Sequence, residues 1–429
     1  MYRSNAKYFG ELREYLDQIP VIETHEHYTK YEKAGDPLDF ILDNYYMSDF
    51  MSAGGEEFLR EGKTRGDLPK KERFEQFLQY YRKSDKTAYA HGMREGLKQV
   101  WGIDSIDSYE EFQKLGEKLK NRDESVYKRV MEQLKIKAKV VDIFDLNPYV
   151  EGKESYSDYC RFAFPLPFFH NLHSKHDLLR LQKYLDRLIV RLEDYLESFD
   201  NYLQKCVDFG VVCFKDQTAY DRSIAYGNPN KAEAEQIFDE MIFKPRDVFG
   251  DDKVRPLDDF LFQYAMRCAA RHSLPVQIHT GHMAGIRNDI VKTNAAGLIP
   301  TLELHQDVNF ALFHGNWPYM DEYLYMGKNF PNVYLDLCWV QSIDPFYCVE
   351  LMKRAVMTVP HSKIFAFGGD TGMVEWVAGY LALAKDNVAC ALSELTDSGW
   401  LSMDEAKRIS LDWFFNNPNR FYNLGLRAG

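Results

Sequence analysis

The sequence lacks any apolar run that approaches the roughly 20 residues required by a membrane-spanning helix. Its first stretch, MYRSNAKYFGELREYL, also lacks the apolar segment of a secretory signal. We therefore expect a cytoplasmic protein that has no membrane partner.

Positive charge is in short supply as well. Lys and Arg number 53 against 65 Asp and Glu, which gives a net charge of −12 and a pI near 5.5. Polyphosphate binding requires a clustered positive surface, so this balance argues against nucleic acid as the main partner. A small-molecule substrate is the expected ligand.

Cysteine pairs at metal-site or redox spacing are missing. The seven cysteines are an odd number, include no CxxC motif and lie partly inside apolar runs, which predicts buried thiols in a reducing compartment. Internal repeats, low-complexity tracts and Pro/Gly-rich linkers are also lacking. We therefore expect residues 1–429 to form one domain.

Two textures are present. From about residue 30 to 135 the chain is charged, aromatic and helical in period, as in SYEEFQKLGEKLKNRDESVYKRVMEQL, which predicts a helical insertion. Elsewhere, short apolar runs alternate with amphipathic segments. Eight such runs are strand candidates: IPVIETHEH, KAKVVDIFDL, YCRFAFPLPFF, FGVVCFKD, LPVQIHTG, VNFALFHGN, NVYLDLCW and KIFAFGGDT.

Apolar strands separated by helices are typical of a parallel sheet that is covered on both faces, and eight of them predict a closed barrel. The expected fold class is therefore α/β, a (β/α)8 TIM barrel with a helical insertion after strand 1. A content of 45% apolar and 15% aromatic residues can fill the large core that this fold requires.

Polar side chains able to bind metal or move protons recur at the ends of the predicted strands. His25 and His27 are two residues apart, so on a strand they point to the same side and form half of a metal site. An isolated HxH is more often a chance strand end. Here, however, the pattern is repeated on strands 4, 5, 6 and 8 by Lys215, His279, His314 and Asp370.

This ordered set resembles the amidohydrolase superfamily, more closely its amidohydrolase-related branch of metal-dependent hydrolases with the TIM-barrel fold. The stretches FKDQTAYDR, HTGH, LFHGNWPY, FPNVYLDLCW and KIFAFGGD are similar to the branch that contains the amidohydrolase-like part of fungal FluG and plant nodulin proteins. The insertion segment TAYAHGMREGLKQVWGIDSIDSYEEFQKL resembles the helical region of uronate isomerases. Those enzymes carry an arginine close behind the strand 8 aspartate, whereas this chain reads GGDTGM.

The resemblance implies a divalent metal, zinc or alternatively manganese, held by His25, His27, His279 and Asp370. Asp370 would also take a proton from the attacking water, and His314 would polarise a substrate carbonyl or shuttle a proton. Lys215 leaves two alternatives open. A carboxylated lysine would bridge a second ion, whereas an unmodified one would pair with a substrate carboxylate, and we favour the unmodified, single-ion version.

Four further residues near the predicted barrel mouth are candidates for substrate binding. Arg287 could clamp a carboxylate in a bidentate fork, Tyr220 and Arg222 follow strand 4, and Trp317 follows His314. An exposed or structural loop role explains each of them about as well.

The expected function is hydrolysis of a small carboxylate-bearing substrate by a metal-activated water. Nonhydrolytic decarboxylation or uronate isomerisation on the same metal site are alternatives, and an inactive barrel that serves as a binding module is an alternative of another class. The composition leaves open whether the chain forms a homo-oligomer.

Overall fold

A single sheet of eight parallel strands organises the computed structural model, which describes residues 4–31, 35–59 and 64–428. The strands are β1 Val21–Glu26, β2 Ile136–Val141, β3 Cys160–Pro165, β4 Cys213–Asp216, β5 Val276–Ile278, β6 Phe310–Leu312, β7 Val333–Asp336 and β8 Ile364–Phe365. Each falls within one of the eight predicted apolar runs. The strands are ordered in space as in sequence, and each pairs in parallel with the next.

Backbone hydrogen bonds join the segment after β8 to β1. The N–H of Thr24 donates to the carbonyl of Phe367 at 3.0 Å, and the N–H of Asp370 donates to the carbonyl of His25 at 3.0 Å. The first and last strands are thereby brought together, and the predicted (β/α)8 barrel is confirmed. Because all strands are parallel, the residues that follow them gather at one end of the barrel.

Helices fill the chain between β1 and β2, as the helical period predicted. They are Pro37–Leu42, Tyr46–Ser52, Lys70–Ser84, Ala88–Trp101, Tyr109–Leu119 and Glu124–Gln133. Local sequence signals set their ends: Ala88–Trp101 begins after Thr87, whose side chain accepts the N–H of Ala90, and stops at Gly102 with φ of 64°.

The other α-helices precede β1 or follow the later strands. They are Phe9–Leu16, Asn147–Val150, Pro167–His170, Lys175–Leu178, Leu192–Phe209, Lys231–Phe243, Asp251–His272, Ile299–Leu304, Met320–Asn329, Val340–Ile343, Pro345–Thr358, Val374–Asp397, Met403–Leu411 and Asn417–Phe421. All seven cysteines are buried and free of disulfides, as predicted. Within the described ranges, no helix has the length and apolar character that crossing a membrane demands.

The insertion packs on the long helix Val374–Asp397 through glycines. A Cβ at Gly379 would overlap the carbonyl oxygen of Gly92, so the two backbones touch directly. A buried bidentate ion pair supports this contact, because Arg122 donates from Nε and Nη2 to the two carboxylate oxygens of Glu375 at 2.6 and 2.8 Å. The insertion is thereby fixed against the helix that follows β8.

This contact predicts a stability effect. Gly379→Ala places a methyl group against backbone that cannot move aside, and we expect it to lower the free energy of unfolding by about 1–3 kcal/mol. Gly10→Ala is the matched control, because no atom lies within 4 Å of its added Cβ on the helix Phe9–Leu16. Calorimetric melting should show a lower midpoint for the first variant only, and equal midpoints would contradict the close packing.

Candidate metal centre

Four histidines and one aspartate meet at the end of the barrel where the strands finish. His25 lies in β1, while His27, His279, His314 and Asp370 lie just beyond β1, β5, β6 and β8. The distances are 2.9 Å from His27 Nε2 to Asp370 Oδ1, 3.7 Å from His25 Nε2 to Asp370 Oδ1, 3.6 Å from His314 Nε2 to Asp370 Oδ2, and 3.1 Å from His279 Nδ1 to His314 Nε2. These five residues are called the metal centre below.

Backbone carbonyls fix which nitrogen of three rings faces inward. The contacts are His27 Nδ1 with the carbonyl of Asp142 at 3.0 Å, His314 Nδ1 with that of Cys338 at 3.0 Å, and His279 Nε2 with that of His282 at 2.8 Å. A carbonyl oxygen only accepts, so each of these nitrogens carries the ring proton. In the neutral ring the other nitrogen then presents a lone pair to the centre.

The chemistry of this donor set fits a divalent cation. The inward lone pair of His27 faces a carboxylate oxygen of Asp370, and the inward lone pairs of His279 and His314 face each other. Acceptor against acceptor is unfavourable unless a proton or a cation lies between them. Imidazole nitrogens with one carboxylate are ligands that Zn²⁺ accepts in catalytic sites.

Burial prepares the rings for this role. Burial, followed by the charge of Lys215, keeps the pKa of His25 well below its usual range, and burial lowers the pKa of His314 to about 3. For Asp370, burial favours the neutral acid, but the nearby rings of His25 and His27 outweigh it and keep the pKa of its carboxyl well below normal. Neutral rings and an ionised carboxylate are the protonation states that metal binding requires.

The loop that carries Asp370 is held by Glu26. The buried carboxylate of Glu26 accepts the N–H of Gly369 at 2.8 Å and the N–H of Thr371 at 3.0 Å, one on each side of Asp370. Asp370 itself has φ of 52°, a backbone conformation that is uncommon outside glycine. Two clamped neighbours keep the aspartate in this conformation, with its carboxylate turned to the histidines.

Lys215 projects from β4 beneath the metal centre and is 1% exposed. Its Nζ lies 4.1 Å from the ring centroid of Phe313. Its charge lowers the pKa values of His25, His279 and His314, although in each case burial is the larger cause. The structure therefore places the predicted lysine in the same electrostatic environment as the predicted ligands.

The two predicted substrate arginines already have partners. Arg287 is exposed and donates from both terminal nitrogens to the carboxylate of Glu56 at 2.7 Å, which links the β5 loop to the insertion. Arg222 is buried, with Nη2 at 2.5 Å from Asp259 Oδ1. Neither guanidinium is available to a substrate carboxylate unless its acidic partner is released.

The two predicted aromatic residues lie near the histidines. The Tyr220 ring centroid is 4.8 Å from that of His279, and its hydroxyl accepts the N–H of Ala284 at 3.0 Å. The Trp317 ring centroid lies 5.4 Å from that of His282. Tyr220 lines a cavity beside the metal centre, whereas Trp317 packs against the loop that follows β5.

Sequence reasoning overlooked Tyr45, which the insertion brings to the metal centre. Its hydroxyl donates to Asp370 Oδ1 at 2.8 Å, and its ring packs on Trp339 with centroids 4.0 Å apart. Trp339 in turn lies 4.9 Å from the His314 ring centroid. The polar and aromatic cluster DNYY, early in the insertion, was the available signal.

Asp142 was overlooked too, although it follows β2 as Lys215 and His279 terminate other runs. It is 1% exposed, and its carboxylate lies within 4.8 Å of ring nitrogens of His25 and His27. Burial is the main cause that raises the pKa of this carboxyl. The strand-end rule applied to VVDIF would have found it.

Two cavities flank His27. The larger, about 640 Å³, is called the β2–β4 cavity and is lined by His27, Asp142, Ile143, Phe144, Pro167, Gln217, Tyr220, Asp221 and Ala284. The smaller, about 240 Å³, is lined by insertion residues that include Tyr45 and by Asp370. Both open at the mouth of the barrel, so a ligand in either one contacts the metal centre.

Comparison with known proteins agrees with this geometry. Residues 246–371 match the family model described as Amidohydrolase, which confirms the predicted resemblance to the amidohydrolase superfamily. The chain is 25% identical over 178 residues to Protein fluG of Emericella nidulans, a match that covers 40% of this chain. It therefore spans 20% of the length of that curated relative.

Solved structures share the fold. A uronate isomerase from Thermotoga maritima has a TM-score of 0.77 at 11% identity, and the match covers 97% of this chain and 98% of that one. A chain from Lactobacillus casei ATCC 334, described as a metal-dependent hydrolase, has a TM-score of 0.67 at 17% identity and covers 96% and 97%. At these identities the likeness extends to the fold and includes the helical insertion.

Proposed function

We propose that this protein, whose chain carries the amidohydrolase family match, is a metal-dependent hydrolase that acts on a small carboxylate-bearing substrate. His25, His27, His279 and Asp370 hold one divalent ion, with zinc favoured over manganese because most donors are imidazole nitrogens. The bound ion supplies Lewis acidity and lowers the pKa of a water toward neutrality.

One observation carries this proposal. Carbonyl contacts turn the unprotonated nitrogens of His27, His279 and His314 inward, toward one another and toward an ionised carboxylate. A structural histidine cluster would place a donor opposite each acceptor. Here the acceptors converge, which is the arrangement of a ligand set.

The chain's own residues supply the remaining chemistry. Asp370 can accept the proton of an attacking water, and the hydroxyl of Tyr45 orients its carboxylate by donating to Oδ1. His314 is held by the carbonyl of Cys338, so its Nε2 can exchange a proton with the substrate. The side chains of the insertion cover this part of the mouth and exclude water.

Lys215 is the proposed partner of the substrate carboxylate. Arg222 and Arg287 are both paired with acidic side chains, as described above. Of these three predicted cations, only Lys215 has no carboxylate oxygen within 4.0 Å in residues 4–31, 35–59 and 64–428. Arg287 and Trp317 would then bound the mouth, and Tyr220 would contact the substrate body.

Uronate isomerisation is the second candidate. It is favoured by the fold shared with the Thermotoga maritima uronate isomerase, helical insertion included. It is disfavoured by the sequence Gly369–Met373, which has no arginine behind Asp370. Decarboxylation on the same centre and a binding-only barrel remain outcomes that the experiment below can return.

The experiment combines metal analysis with a substrate panel. Purified protein should contain about one zinc or manganese ion per chain, and it should hydrolyse one class among N-acyl amino acids, lactones and carboxylate esters. Chelation should abolish the activity and re-addition of the ion should restore it. Glucuronate and hydroxybenzoates in the same panel test isomerisation and decarboxylation, and a chain without stoichiometric metal would favour the binding module.

Lys215 separates one ion from two. If Lys215 is unmodified, Lys215→Met should retain about one ion per chain, while KM for the carboxylate substrate rises by at least about tenfold through loss of a charge-assisted contact. Mass spectrometry and elemental analysis of the same preparation provide the check. Two ions in the native protein that fall to one or none in Lys215→Met would instead show a carboxylated, bridging lysine.

A further inference from the structure

The β2–β4 cavity has an unusual lining for a site that opens onto a metal centre. Its volume of about 640 Å³ is in the range of small-molecule pockets. Apart from His27, its ionisable side chains are acidic or phenolic, and its wall is formed mainly by apolar surface. Such a space fits the body of a substrate better than it fits a polyhydroxylated one.

Asp142 is the polar group that this cavity leaves without a partner. Its side chain is 1% exposed, and neither carboxylate oxygen has a hydrogen-bond partner within the described part of the chain. Other buried acids near the metal centre are satisfied, as Glu26 is by the N–H groups of Gly369 and Thr371. A buried carboxylate that lines a cavity and lacks donors is suited to receive one from a ligand.

Apolar side chains stand next to this carboxylate. Phe144 lines the cavity and is 77% exposed, although large apolar residues are more stable when covered. Ile143, Pro167 and the ring of Tyr220 continue the wall. An apolar group lying here would cover the ring of Phe144 and place its polar end near Asp142.

We propose that the β2–β4 cavity is the specificity subsite for an apolar, preferably aromatic, substrate body that carries one hydrogen-bond donor, which Asp142 accepts. The inference rests on the proposed function, since it takes the metal centre and Lys215 as the place of the substrate carboxylate. The donor is a hydroxyl or an ammonium group, and both are recognised by the same carboxylate chemistry. Asp142 thus acts on substrate choice, while the metal centre acts on the bond that is cleaved.

Matched carboxylate probes test this assignment. Benzoate, 3-hydroxybenzoate, 3-(aminomethyl)benzoate and glucuronate are titrated calorimetrically into zinc-loaded protein. The native protein should bind one or both donor-bearing benzoates at least about tenfold more tightly than benzoate, because each adds a charge-assisted hydrogen bond. It should bind glucuronate more weakly than benzoate, because the wall is apolar.

Variants locate the donor preference. Asp142→Ala should abolish it while leaving the affinity for benzoate within about twofold, and Asp142→Asn should keep only the preference for the hydroxyl, because it retains an acceptor but no charge. Phe144→Ser, at an exposed position, should weaken all three benzoates by roughly fivefold through lost apolar contact. Asp186→Asn, an exposed carboxylate outside the cavity lining, is the control and should change nothing.

The zinc content of every sample separates the possible failures. Zinc-loaded native protein that does not prefer a donor-bearing benzoate, or that prefers glucuronate, would overturn the subsite while leaving the metal enzyme intact. A native protein that binds no zinc would instead overturn the proposed function. Loss of zinc from Asp142→Ala would show that Asp142 is a metal ligand, and this result would also overturn the subsite.

Discussion

Alanine at both His25 and His27 is expected to remove the bound ion and to lower turnover by at least about 10³-fold, the effect of losing several kcal/mol of charge stabilisation. The two rings lie on the same side of β1 and provide half of the donor set. Removing them leaves His279 and Asp370, which is too few ligands for a tight zinc site. The barrel should still fold, because these residues lie at its mouth and the packed strands lie below.

His176→Ala is the matched control for this double variant, because His176 is exposed and lies outside the metal centre. It should retain the full metal content and activity of the native protein. Circular dichroism and calorimetry establish that both proteins are folded, and elemental analysis then counts the ions. A folded double variant that keeps one tightly bound ion per chain would refute the ligand assignment.

The barrel and the metal centre were predictable from sequence because both follow from short-range rules. Buried parallel strands read as apolar runs, and a polar residue at the end of each run must emerge at the same end of the barrel. His25, Lys215, His279, His314 and Asp370 all satisfy that rule, and the structure gathers them. The two-residue spacing of His25 and His27 likewise fixes their common side without knowledge of the rest of the fold.

What sequence reasoning missed depends on tertiary packing. Tyr45 reaches Asp370 only because the insertion is seated on helix Val374–Asp397, a contact set by Gly92 and Gly379 from distant parts of the chain. No local pattern encodes that approach. The pairing of Arg287 with Glu56 has the same origin, since it joins the β5 loop to the insertion across 231 residues of sequence.

Asp370→Asn is expected to lower turnover by about 10²–10⁴-fold, the range attributed to a positioned acid or base. Asparagine has nearly the same shape and can still accept the hydrogen bond of Tyr45 through its carbonyl oxygen. It cannot take a proton from the attacking water. It also replaces a charged ligand by a neutral one, so the affinity for the ion should fall, and assays must therefore be run with saturating metal.

Comparison with Tyr45→Phe separates proton transfer from positioning. Phenylalanine removes only the hydrogen bond to Asp370 Oδ1, so we expect a decrease in turnover of about tenfold with the metal content unchanged. Asp307→Asn, an exposed aspartate in the turn before β6, should behave as the native protein. At saturating metal, a loss in Asp370→Asn no larger than that in Tyr45→Phe would show that Asp370 serves as a ligand alone, and the proton acceptor would then have to be sought at His314, whose Nε2 lies 3.6 Å from Asp370 Oδ2.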